Sequence, residues 1–254
     1  MRTLRLIYSL LFLALPLAAQ TSAEDDLAQG DAAYAKFDNA TALKFYQLAW
    51  KADSSRCVAA WKISRAHVDI GEMASKEIQR TNYYAGEKFA RKAVALCPND
   101  DMAHLTLAIV VGRVALMEGG KKKVELSKEV KSEAEKTLQL NPNNDIACHV
   151  LGRWNREVAN LSGVLKMFAK VLYGGLPPAS NEKAVELFKK AIALKPDYCN
   201  HYLELGITFQ EMDQYQPAKE AFEKALACPN LVFNDDVHKK EAKERLDKVT
   251  KKLQ

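Results

Sequence analysis

The sequence predicts an all-α fold: a right-handed superhelix of stacked helical hairpins, with one inserted helix and a C-terminal capping helix. Three observations predict it. A spelling of small residue, aromatic, small residue and proline recurs, as Ala184, Phe188, Ala191, Pro196 and as Ala218, Phe222, Ala225, Pro229. Weaker copies are Ala42, Tyr46, Ala49 and Ala90, Ala93, Pro98. Helix stops are joined to capping residues at Pro98-Asn99-Asp100, Pro142-Asn143-Asn144-Asp145 and Pro196-Asp197. No alternating apolar/polar run bounded by turn residues suggests a strand.

Each copy reads as the second helix of a hairpin. Small residues let two helices approach, the aromatic fills the space between hairpins, and proline ends the helix. Such a hairpin cannot bury its apolar face alone, so neighbours must stack. This is the pattern of a tetratricopeptide array, an architecture that more often displays a binding surface than an active site.

The first pair of helices is expected at 24–36 and 40–52, with Asn39 as the cap between them. The next helix runs 57–70, and the polar insert EMASKEIQRT separates it from a partner at 82–96. A third pair, 101–117 and 124–140, is joined by EGGKKK, which reads as a solvated loop. The fourth first helix starts near Asp145, but its partner does not arrive until Ser180. Between them lie an extra helix at 161–173 and the break YGGLPPAS. The last regular hairpin is 199–212 with 215–227. A final helix at 235–253 carries Val237, Leu246, Val249 and Leu253 on one face, as a polar capping helix should. Residues 24–254 thus form one repeat domain.

The N-terminus has two arginines, Arg2 and Arg5, then an apolar run from Leu6 to Leu17, then small residues. That is the pattern of a secretory signal peptide over residues 1–20, so the mature chain is expected to be exported, periplasmic or secreted. The run is too short for the roughly 20 residues that span a bilayer, and no later stretch is apolar enough to do so. Net charge is +5, falling to +3 without Arg2 and Arg5, which is too mild to predict nucleic-acid binding. The cysteines, Cys57, Cys97, Cys148, Cys199 and Cys228, are odd in number and scattered. They fall at recurrent sites, the starts of first helices or just before a terminating proline. They read as small packing hydrophobes, and the spacing leaves open whether any pair forms.

The segment DIACHVLGRWNREVANLSGVLKMFAKVLYGGLPPAS resembles the regulator of microtubule dynamics family, a branch of tetratricopeptide proteins. The matching elements are His149, Gly152, Trp154, Ala159, the inserted helix, and Pro177-Pro178 followed by the Ala184/Phe188/Ala191 helix. WKISRAHVDI and EKFARKAVALCPNDDMAHLTLAIVVGRVA look similar too, so the resemblance covers about residues 57–250. Two positions depart from it: Arg156, and the neighbourhood of Gly163, where the family commonly has aromatics. The resemblance implies association with microtubules or organelle membranes, and in one branch phospholipid binding. A secretion signal conflicts with a cytosolic microtubule partner.

The tetratricopeptide register puts one side of each first helix on the concave wall. The candidates there are Arg65, Asp69, Arg113, His149, Arg153, Arg156, Glu157 and Gln210, with Leu203, Ile207 and Glu211 beside them. Arg65, Arg113, Arg153 and Arg156 would form a positive strip suited to a carboxylate or phosphate. The generic alternative pairs Arg65 with Asp69 and Arg153 with Glu157 at helical spacing. Gly152, Gly206, Trp154 and the other tryptophans, Trp50 and Trp61, read as packing positions. Met167, Phe168, Val171, Leu172 and Tyr173 make the inserted helix apolar; it either plugs one end of the groove or lines a pocket for an acyl chain.

His104, His149 and His201 occupy different registers and are not expected to converge, so no metal is expected, nor any cofactor. Gly119-Gly120 before Lys121-Lys122-Lys123 lacks the other parts of a phosphate loop. No G-x-S-x-G, H-E-x-x-H or C-x-x-C occurs. The expected protein is therefore a non-catalytic scaffold that binds a protein or peptide in its groove. The alternative is a phospholipid or acyl-ligand carrier that uses the inserted helix and the positive wall.

Overall fold

The structure is a computed structural model, and it describes residues 22–254. The signal-peptide reading of residues 1–20 falls outside the described residues, as do the side chains of Leu172 and Tyr173.

The described residues form twelve helices and no strand. They are α1 (Ala23–Tyr34), α2 (Asn39–Ala52), α3 (Cys57–Glu72), α4 (Lys76–Leu96), α5 (Asp101–Glu118) and α6 (Gly120–Leu140). There follow α7 (Asp145–Ala159), α8 (Gly163–Tyr173), α9 (Asn181–Leu194), α10 (Cys199–Glu211), α11 (Tyr215–Ala227) and α12 (Asp235–Lys252). Hairpins pair α1 with α2, α3 with α4, α5 with α6, α7 with α9, and α10 with α11. First helices also touch along the stack, α3 on α5, α5 on α7, and α7 on α10. The inserted α8 leans on α6, and α12 covers α10 and α11.

Six of the twelve helix starts carry a side-chain cap. Asp100 and Asn144 accept hydrogen bonds from the backbone N–H of Ala103 (2.8 Å) and Ala147 (2.9 Å), as the stop-and-cap spellings require. Four boundaries differ from expectation. The first inter-helix cap is Asp38 rather than Asn39, and it accepts from Thr41 N. Pro196-Asp197 supplies no cap; Tyr198 precedes α10 without a side-chain bond. The insert after α3 is mostly helix, because Lys76 onward extends α4 and only Met73–Ser75 break the chain. Likewise, Lys121, Lys122 and Lys123 lie in α6, and the break before it is the left-handed Gly119 (φ 64°).

The hairpins share one packing device. Tyr46, Phe188 and Phe222 are among the largest fully buried side chains, and each presses on a glycine of its partner first helix. A Cβ at Gly206 would sit 2.5 Å from the Phe222 ring, and one at Gly152 would sit 2.8 Å from Phe188. Glycine is needed there for close approach. Burying each ring contributes about 2–3 kcal/mol. Trp154 is buried as expected and donates its indole N–H to the Ser127 carbonyl at 2.7 Å, while Trp50 meets Phe89 edge-on.

The cysteine reading needs correction at one pair. Cys57 and Cys97 form a disulfide, with Cα atoms 6.0 Å apart, joining the start of α3 to the residue that caps α4. Hairpin antiparallelism brings these two ends together, which spacing along the chain does not reveal. Cys148 and Cys199 are buried thiols, and Cys228 is a half-buried one. No helix of the described residues is long and apolar enough to cross a membrane.

Candidate ligand-binding groove

The first helices α3, α5 and α7 line a cavity of about 390 Å³. Its wall is apolar along Val68, Leu105, Ile109, Leu116, Val150 and Val158. Helix α6 contributes Lys123 and Val124, and the segment before α10 contributes Lys195 and Tyr198. The far side is closed by the α11–α12 connection, whose Val232, Phe233 and Asn234 face the cavity. Asn234 donates its amide to Glu72 Oε2 at 2.6 Å, so this connection reaches across the groove to the end of α3.

Six of the sequence candidates line the cavity: Arg65, Asp69, Arg113, His149, Arg153 and Glu157. The period of the first helices brings them there from three separate hairpins. The other two do not line it. Arg156 is 4% exposed and bonds Glu204 at 2.5 Å behind the wall, while Gln210 accepts from Arg245 of α12 at 3.2 Å. Leu203 and Ile207 belong to the core beneath α11 and α12, and Glu211 accepts from Asn160.

Neither expected helical ion pair forms among the described residues. The acids are taken by other helices. Arg113 pairs with Glu72, Lys123 pairs with Glu157, and Arg153 approaches Glu204 at 3.3 Å. Asp69 accepts the Tyr34 hydroxyl at 2.8 Å, and Arg65 stacks on the Tyr34 ring with its guanidinium 3.8 Å from the centroid. The strip is therefore partly neutralised from between helices. It is not neutral: five Lys/Arg residues line the cavity against three Asp/Glu. The Nε atoms of Arg65 and Arg113 are buried without a hydrogen-bond partner.

The acids respond differently to these surroundings. Burial pushes the Asp69 carboxyl up to about 7, with Tyr34 and the nearby arginines opposing it. Burial acts the same way on Glu204, but Arg153 and Arg156 overcome it and hold that carboxyl well below the ordinary range. His149 is kept neutral, far below its ordinary pKa, first by burial and then by His201.

His149 and His201 correct the expectation that the histidines stay apart. Their Nδ1 atoms lie 3.0 Å from one another, and His201 Nε2 lies 3.1 Å from Asp145 Oδ2. With a proton on His201 Nε2 donated to Asp145, His201 Nδ1 accepts from His149 Nδ1–H. Adjacent first helices carry these two rings, and stacking erases the register difference. His104 stands apart, bonding Glu133 and the Pro98 carbonyl.

Among the described residues, no side chain of the inserted helix lines this cavity, so the cavity wall lends the acyl-pocket alternative no support from that helix. Phe168, Leu165 and Ala169 pack against Val124 and Leu161, whereas Val164, Met167 and Val171 are exposed. Sequence reasoning missed Tyr34, Glu72, Asn234 and His238 as wall residues. Tyr34 and Glu72 are the last residues of the first helices α1 and α3, whereas Asn234 and His238 come from the α11–α12 connection and the first turn of α12.

The family model for regulator of microtubule dynamics proteins 1–3 matches residues 26–251. The chain belongs to the regulator of microtubule dynamics family. It is 28% identical to mouse regulator of microtubule dynamics protein 1 over 243 residues, covering 94% of this chain and 79% of that protein. It is 28% identical to human protein 2 over 196 residues, covering 76% of this chain but only 47% of that protein. Among solved structures, a thermophilic tetratricopeptide protein of Thermus thermophilus aligns with a TM-score of 0.64 at 16% identity, covering 88% of this chain and 100% of that one. A fragment of MamA from Desulfovibrio magneticus aligns with a TM-score of 0.52 at 16% identity, covering 83% of this chain and 95% of that one. These likenesses establish a tetratricopeptide-like superhelix for this family member.

Proposed function

We propose that this chain is a non-catalytic scaffold whose groove holds a short extended segment of a partner protein. Apolar side chains of the segment lie along α5 and α7, and a carboxylate of the segment faces Arg65 and Arg153. The observation that carries this reading is the excess of cations on an otherwise apolar cavity, together with buried arginine donors that have no partner. Fluorescence anisotropy against a library of acidic C-terminal peptides tests it. Binding that weakens at least about tenfold in Arg153→Ala, with the fold intact, supports it; affinity that ignores this change refutes it.

A phospholipid is the second reading. It is favoured by the predominance of apolar side chains on the cavity wall. Native mass spectrometry of the purified chain separates the two readings, because a co-purifying lipid mass is expected only for a carrier. Export is part of the proposal, supported by the charged, apolar and small-residue order of the N-terminus and by the Cys57–Cys97 bridge. A microtubule partner rests on the relatives' names alone. N-terminal sequencing of the native protein decides between these locations: loss of the first 20 or so residues fits export, and an intact Met1 reopens a cytosolic life.

A further inference from the structure

Where α12 begins, three groups of different chemistry converge. Asp235 is the first residue of α12, His238 stands one turn later on the same face, and Cys199 is the first residue of α10. The Cys199 Sγ lies 2.9 Å from Asp235 Oδ1, and His238 Nδ1 lies 3.6 Å from the same oxygen. All three donor atoms fall within 4.8 Å of one another. Cys199 and Asp235 are essentially without exposure, at 0% and 1%.

Local structure alone does not account for the arrangement. Asp235 Oδ2 is fully used, accepting from the backbone N–H of Leu231 (2.6 Å) and Val232 (2.8 Å), which fixes the carboxylate plane. Oδ1 is left pointing at the thiol and the imidazole. His238 Nδ1 is buried and has no hydrogen-bond partner, since 3.6 Å is beyond hydrogen-bond reach. An orphaned buried imidazole nitrogen costs stability. One borderline-soft cation would satisfy the sulfur, the oxygen and the nitrogen together.

We propose that Cys199, Asp235 and His238 form a binding site for a zinc-class divalent cation. Thiolate, carboxylate and imidazole are the ligand types such ions take. The Leu231 and Val232 amides on Oδ2 act as the outer shell that aims the carboxylate. Binding exchanges the S–H bond for a sulfur–metal bond, and the thiol proton passes to solvent. With its proton on Nε2, a neutral imidazole presents the lone pair of the unpartnered Nδ1 to the ion. A tetrahedral ion takes four ligands, so these three leave a position for water or for a group carried by a ligand. His238 itself lies on the groove wall. The site thus joins the groove to the helix that caps the array.

Cobalt(II) is the probe, because thiolate ligation gives it a near-ultraviolet charge-transfer band. The full chain, stripped with EDTA and freed of chelator with its disulfide intact, is titrated with cobalt(II) and then zinc(II). The expected result is a thiolate–cobalt band saturating at one ion per chain and displaced by zinc. Cys199→Ser abolishes the band, while Cys148→Ser and Cys228→Ser keep it. His238→Ala keeps the band but weakens apparent affinity by at least about tenfold. That variant, with a half-buried side chain, covers the case in which Cys199→Ser fails to fold. Absence of the band in the parent protein overturns the proposal. So does a band that survives in folded Cys199→Ser, or one of unchanged affinity in His238→Ala.

Discussion

Two hairpins of this array carry cysteines at matching ends, and only one is bridged. In α3/α4, Cys57 opens the first helix and Cys97 caps the second, and they form a disulfide. In α10/α11, Cys199 opens the first helix and Cys228 caps the second, and both are free thiols. The spellings KAVALCP and KALACP differ by one residue. Cys97 follows the buried Ala93 by four positions, but Cys228 follows the buried Ala225 by three. One residue in a helix turns a side chain by about 100°. Cys228 is therefore rotated out of the bridging position, and it points its thiol at the Lys224 carbonyl. Cys199 is left to Asp235. The spacing of one residue separates a covalent clamp from a free thiol.

The largest expected break in this comparison is Cys57→Ser. Opening a link between residues 40 positions apart lowers unfolding stability by about 3–4 kcal/mol in the chain-entropy description. Urea denaturation, compared with the parent under oxidising and reducing conditions, checks it: reduction should cost the parent nearly as much and the variant almost nothing.

Next comes Gly206→Ala, which drives a methyl into the Phe222 ring and should cost about 2–3 kcal/mol. The counterpart in α3 is Ser64, which is buried with a hydroxyl that has no partner. Ser64→Ala should be neutral or slightly stabilising, so two small-residue changes at matching positions give opposite signs in thermal melts.

The two hairpins should also respond oppositely to acid. Asp69 of α3 titrates in the folded protein near 7, above its ordinary 3.8. Between those values the folded chain holds a proton that the unfolded chain has released, so its contribution to stability declines as pH rises from about 4 to 7. Asp235 is shifted down, by its hydrogen bonds and against burial. Its contribution is present above the ordinary carboxylate pKa and is lost as pH falls through the lowered one. Asp69→Asn should therefore raise the melting temperature more at pH 8 than at pH 5. Asp235→Asn should lower it at pH 8 and converge with the parent in acid.

The smallest effect is expected for Cys199→Ser without added metal, below about 1 kcal/mol, since a hydroxyl can replace the thiol as donor to Asp235. A loss as large as that of Cys57→Ser would mean that the free thiol carries structural weight equal to the bridge.

The repeat architecture was legible because its determinants are local. Ala184, Phe188 and Ala191 declare a packing face within two turns, and Asp100 and Asn144 declare helix starts within three residues. The groove was legible to the extent that it lies on first helices, which is why Arg65, Arg113, His149 and Arg153 were found. Arg156 was misplaced because Glu204, which draws it behind the wall, comes from another hairpin. The disulfide, the His149–His201 contact and the Cys199–Asp235–His238 cluster all join distant parts of the chain. Sequence spacing carries no direct record of such encounters.

The Asn234–Glu72 hydrogen bond spans 162 positions of sequence. It ties the last turn of the coil to its second storey and makes a spring into a ring. An open solenoid can fray from either tip, one unit at a time, with energies that simply add. A fastened one loses that freedom between α3 and the α11–α12 connection, so those units should melt together while the α1/α2 hairpin stays free to fray. Anything that fills the middle meets this clasp, because both of its residues stand on the cavity wall.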